Sequence, residues 1–188
     1  MVTAWARSNS QHWERHERVA RSYTFATGAG WHGWMPPLAR VRVLAMWKVI
    51  GPLLTHWKGY MPAKLMGLGE DLPLNVYRQW RHWCTYPHYF FDDPNMAELS
   101  EIFARVRTPI IAANALDDAW APPRSRDALM RGYKNAAWQA VDIDPQCSGI
   151  APIGPFGHTG YYRPKAQALW QGVLEGFLRP ITSTPCLC

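Results

Sequence analysis

A chain of 188 residues, 48% hydrophobic and 18% charged, describes one globular, apolar-leaning domain with a buried core. Its net charge of +6 is scattered, and Arg40, Arg42, Lys48, Lys58 and Lys64 space out through one apolar region as solvated faces, which argues against a nucleic-acid arm. The longest apolar stretch, 41–57, holds Arg42, Lys48 and Pro52, so it falls short of the ~20 clean residues that span a bilayer.

Residues 1–20 are mostly polar, with no apolar signal core, and predict a ragged helix. Residues 21–27 alternate and are rich in aromatic and β-branched types, so they predict a strand. An aromatic loop, 31–37, follows. Apolar residues from Leu38 to about Tyr60 recur at helical spacing, and Gly51-Pro52 predicts a break or kink there. After a loop at 62–69, Asp71 predicts the N-cap of a helix running through Cys84, with Pro73 in its first turn. Asp92 and Asp93 predict a turn, and Asp93 or Asn95 the cap of a short helix to Val106. Strands at 109–114 and 138–143 flank a helix from about Pro123 to Tyr133. That order implies parallel pairing and a right-handed crossover. A last amphipathic helix is predicted over 164–178.

The chemistry gathers beyond the strand at 109–114. In an open α/β sheet, loops past the carboxyl ends of the strands carry the reacting groups. This strand ends on Asp117 and Asp118, then Trp120 and Pro122-Pro123. Forty residues on, His158 sits among Gly154, Gly157 and Gly160, where the backbone can turn sharply and present the ring. Strand, acid, helix, strand, glycine loop, His is the later part of a nucleophile–acid–histidine order. No Gly-x-Ser-x-Gly occurs anywhere.

Cys84, Cys147, Cys186 and Cys188 lack zinc spacing and read as reduced thiols, so neither a metal nor a cofactor is expected. His32, His82 and His88 have no second ligand at metal spacing, and Gly28-Ala-Gly30 lacks the rest of a dinucleotide fingerprint. Eleven tryptophans suit a core, and Trp31, Trp34 and Trp120 are candidates for the lining of an apolar pocket, as are Trp47, Trp80 and Trp83.

Several words of the chain carry a likeness. They are 30–36 (GWHGWMP), 51–54 (GPLL), 67–73 (GLGEDLP), 80–84 (WRHWC), 91–94 (FDDP), 117–122 (DDAWAP) and Gly157-His158. With these the chain resembles the carboxy-terminal part of an α/β-hydrolase, most like predicted bacterial hydrolases allied to the serine aminopeptidase-like branch. The resemblance runs from about residue 16 to 170. It implies an α/β fold: about three parallel strands with flanking helices, and a helical lid inserted over 31–107. Residues 1–30 would then be a remnant helix and first strand, 108–179 the part bearing acid and His, and 180–188 a flexible tail. It implies that Asp118 is the triad acid, Asp117 its neighbour, and His158 the general base. The substrate would be a small acyl compound. The nucleophile elbow would fall near residues 2–7, which hold no glycine pair and no nucleophile, and Ser8 and Ser10 lack the glycines of the strained turn.

Two functions follow as expectations. One is a serine-type hydrolysis of ester, thioester or amide, truncated, inactive or completed by a partner. The other is a non-enzymatic module binding through its aromatic lid surface. The chain is expected to be cytoplasmic and to self-associate through an open sheet edge left by the strand at 21–27.

Overall fold

The computed structural model describes residues 19–66, 69–146, 155–167, 169–171 and 173, without the side chains of Met66 and Lys165. The ragged helix expected at the start, the tail and the predicted helix beyond residue 173 lie outside the described residues.

The fold belongs to the α/β class. Strand β1 (Ser22–Phe25) leads into a mainly helical block. That block holds α1 (Pro37–Ala45), α2 (Gly51–Lys58), α3 (Leu74–Trp83) and α4 (Ala97–Ala104). A two-residue antiparallel ladder joins β2 (Tyr60–Met61) to β3 (Leu72–Pro73). The chain then returns through β4 (Ile110–Ala115), α5 (Pro123–Met130) and β5 (Trp138–Ile143). The sheet order is β1-β4-β5, with both pairings parallel. The three predicted strands are present, within about two residues at their ends.

Strand β4 is buried along its whole length, as a central strand covered on both faces must be. Its side chains alternate between the faces. Ile111, Ala113 and Ala115 join Val141 and Ile143 against Phe156, Tyr161, Leu169 and Val173. Ile110 and Ala112 point to the other cluster, with Met130, Leu129 and Tyr133 from α5 and its exit. The backbone is helical at 167, 169–171 and 173, so the segment expected to be helical covers the first of these faces.

The helix expected to break or kink at Gly51-Pro52 is not interrupted there. A π turn, Met46–Ile50, links α1 to α2, and the Gly51 N–H bonds to Met46 O, five residues back. Proline has no N–H to give and its ring crowds the carbonyl four residues before it. One widened turn absorbs both problems without ending the helix. Gly51 is also where α2 meets Tyr77: an added Cβ would lie 2.0 Å from the Tyr77 hydroxyl.

The cap predicted at Asp71 is a correction. The helix starts at Leu74, Pro73 occupies the cap position, and Asp71 Oδ1 instead accepts from the Lys64 N–H at 3.0 Å. Pro73 still belongs to the ladder with Tyr60, which keeps residues 72–73 extended. Asp93 does cap, accepting from the Asn95 N–H ahead of a short 3-10 turn, Pro94–Met96. It is buried and also receives the Trp83 indole N–H at 3.2 Å. Burial alone would raise its pKa. The hydrogen bonds from Asn95 and Trp83 and the nearby His82 outweigh that, and the carboxyl sits below its ordinary range.

Among the described residues no helix is long and apolar enough to cross a membrane.

Candidate functional site

The end of β4 and the loop around His158 meet at three points. Asp118 is 1% exposed, and its Oδ2 lies 2.9 Å from His158 Nδ1. A carboxylate accepts, so Nδ1 carries a proton, and in the neutral ring Nε2 keeps its lone pair. The Asp118 Oδ1 accepts from the backbone N–H groups of Trp120 and Ala121, at 2.9 and 3.0 Å. These bonds fold residues 118–121 into a tight turn before α5, whose own cap position is Pro122. Asp118 is therefore held on both oxygens and does not itself cap the helix.

The second point is Asp117. Its Oδ1 accepts from the Gly157 N–H at 3.2 Å, and Gly157 has φ +53°, a conformation that suits glycine. Of the two adjacent acids, Asp118 meets the ring and Asp117 meets the backbone beside it. The third point is Tyr161. Its hydroxyl accepts from the Ala115 N–H at 2.6 Å, tying the turn after His158 to the last residue of β4. Burial pushes the Tyr161 pKa up. The Ala115 N–H opposes that, and the charges of Asp118 and Asp117 add to it.

Asn114 supports the acid loop from below. It is fully buried, and its Nδ2 donates to Ala121 O at 2.7 Å and to Thr27 O at 3.0 Å. The end of β1 and the acid loop thus hang on one side chain.

His158, with 43% of its side chain exposed, lines a cavity of about 180 Å3. Trp120 and Ala121 line it from the acid loop, and Ala26 and Gly28 from the end of β1. Met35, Trp47, Trp80 and Cys84 close it from the helical block. Trp120 stands beside His158, with ring centroids 5.9 Å apart. Trp31 and Trp34 pack edge-to-face on each other, and the Trp34 indole donates to Pro87 O at 2.8 Å. Neither is among the described lining residues, so of the three tryptophans only Trp120 is brought to His158.

Two further lining residues carry backbone strain. Ala26 at φ 50° and Tyr89 at φ 61° are the non-glycine residues in the left-handed region among those described, and both line the cavity. Such conformations cost about 1–3 kcal/mol each and persist where the surroundings over-determine them, often at functional sites. No pattern in the sequence signals them.

Cys84 is a nucleophile type in the same cavity. Its burial pushes the thiol pKa up to about 12, so it remains a protonated, inert thiol near neutrality. Among the described residues no three His, Cys, Asp or Glu side chains gather as metal ligands. His82 and His88 are each engaged by a carboxylate, Asp93 and Asp92 respectively.

No model of a known protein family matches the chain, and no curated protein matches it.

Proposed function

We propose that Asp118 and His158 are the acid and base of a serine-type acyl hydrolase, and that the nucleophile comes from outside these 188 residues. The observation that carries this reading is the 2.9 Å contact between His158 Nδ1 and the buried Asp118 carboxylate. An acid so placed fixes the ring's tautomer and orientation and stabilises the imidazolium that forms during turnover. A serine brought to this site would attack the substrate carbonyl while His158 Nε2 takes its proton. The same nitrogen would return that proton to the leaving oxygen, sulfur or nitrogen, and water activated by His158 would then release the acid.

The cavity supports a small apolar acyl group. An engineered void of roughly 150 Å3 admits benzene, so about 180 Å3 takes a short acyl chain or one ring. Its walls come from the sheet loops on one side and the helical block on the other, which is why we assign residues 31–107 the role of a lid. Among the described residues β1 pairs with β4 alone, on one side.

The test is hydrolysis of p-nitrophenyl acetate by the parent chain and by His158→Ala. An activated ester needs no serine, so a positioned imidazole should turn it over slowly by itself. We expect the variant to lose the enzyme-dependent rate by about 10²-fold or more. Equal rates in a folded variant would rule out His158 as a working base. A second reading, a non-enzymatic interaction module, is favoured by apolar side chains that the helical block leaves in solvent.

A further inference from the structure

The helix pair α1–α2 is apolar on two opposite faces, and only one of them is used. Val43, Trp47, Gly51 and Thr55 recur every four residues and are buried. Val43 and Trp47 pack with Met35, Met61 and Tyr77, and Gly51 lies against Tyr77. A second line is offset from these by two residues, about half a turn round the helix. It runs through Val41, Val49, Leu53 and Trp57, and all four are exposed, Leu53 at 65% and Trp57 at 79%. Leu38, at 64%, lengthens the stripe at its start. In a regular α-helix a line of four-residue steps drifts round the axis. The π turn at Met46–Ile50 takes more residues per turn and offsets that drift, so the stripe stays on one side.

The charge beside the stripe has one sign. Residues 37–66 contain Arg40, Arg42, Lys48, Lys58 and Lys64 and not a single Asp or Glu. Arg42 and Lys58 follow stripe residues on one flank, and Lys48 precedes Val49 on the other. Arg40 is turned back onto the carbonyls of His32 and Gly33, and Lys64 pairs with Glu70 outside the segment. The Lys58 ammonium lies 5.5 Å from the Trp57 ring and 6.0 Å from that of Tyr60. An indole, a phenol and an ammonium are thus grouped at one end of an apolar stripe.

We propose that this face docks on an anionic lipid surface, with the stripe in the boundary of the acyl region and the cations on phosphates. An apolar face with Trp and Leu, flanked by Lys and Arg, is the composition that lies in a membrane interface. Aromatic rings with a polar edge suit the headgroup level. The charge argues against a second copy as occupant, because a two-fold contact would bring two acid-free cationic faces together. The inference does not rest on the hydrolase reading, since it uses none of the residues of the acid–base site.

The test is co-sedimentation of the full chain with vesicles of phosphatidylcholine alone and of phosphatidylcholine with phosphatidylglycerol. Binding is expected to the anionic vesicles and to weaken as salt is raised. Lys48→Gln with Lys58→Gln should weaken it roughly tenfold or more. Leu53→Ser with Trp57→Ser should abolish it while leaving the thermal melt and the ester turnover unchanged, because both side chains are in solvent in the fold. Failure of the parent to bind anionic vesicles at low salt would overturn the proposal. So would undiminished binding by the Leu53→Ser, Trp57→Ser variant. A parent that does not bind vesicles but forms a stable dimer, which the same pair dissolves, would assign the stripe to self-association instead.

Discussion

Asp118→Asn is expected to bring ester turnover down to the level of His158→Ala, by about 10²-fold or more, in a protein that still folds. The amide oxygen can keep accepting from the Trp120 and Ala121 N–H groups, so the acid loop retains its turn. What changes is the other end of the side chain. An amide NH2 in place of Oδ2 faces the His158 Nδ1–H donor to donor. The ring relieves that clash by moving its proton to Nε2, where it can no longer accept one. A merely structural role for Asp118 would show the reverse, a lowered melt with the slow turnover retained. Rates and melting curves measured on the same preparations separate the two.

Asn114→Ala is expected to have the larger effect on stability. Asn114 sits at the buried end of β4, and its one amide group supplies donors to two carbonyls, Thr27 O and Ala121 O. Truncation removes both donors at once and opens a small void between β1 and the acid loop. A buried acceptor left unpaired costs about 1–3 kcal/mol, and the bond to Ala121 O is buried while that to Thr27 O is only partly so, which places the loss at roughly 2–4 kcal/mol. For a chain of this size that is a fall in Tm on the order of 10 °C. Calorimetry or a denaturant midpoint reads it directly. A change of under about 1 kcal/mol would mean that water replaces the lost donors and that Asn114 is not the link between β1 and the acid loop.

Much of the fold was legible because its signals are local. Continuous apolar character from Ile110 to Ala113 marks a strand covered on both faces, and the two strands beside it carry β-branched and aromatic residues bounded by turns. The positions of Asp117, Asp118 and His158 past strand ends could be read the same way. Residue pattern alone did not separate the two acids; the resemblance pointed to Asp118, which is the carboxylate that the turn at 118–121 brings to the ring. The links that fix the two loops against each other, Tyr161 to Ala115 and Asn114 to Thr27, join residues 46 and 87 positions apart. No periodicity reports such pairs.

The misreadings have equally physical causes. Pro52 was expected to interrupt its helix because a proline removes a hydrogen bond. The π turn shifts the bond pattern by one residue, and the helix runs on. Asp71 has the chemistry of a cap, but the short β2–β3 ladder holds Leu72 and Pro73 extended and delays the helix to Leu74. Helical spacing alone did not show that α1–α2 has two apolar faces, since both repeat every four residues. Only the packing against Tyr77 and Met61 shows which of them is spent on the core.

Intact-mass analysis after treatment with a fluorophosphonate, on the parent chain and on His158→Ala, tests the central claim most directly. The claim is that this chain brings the acid and the base but not the nucleophile. It predicts no adduct on either protein, beside a His158-dependent turnover of activated ester. A single adduct on the parent that disappears in His158→Ala would contradict it, because the chain would then carry its own serine, activated by His158.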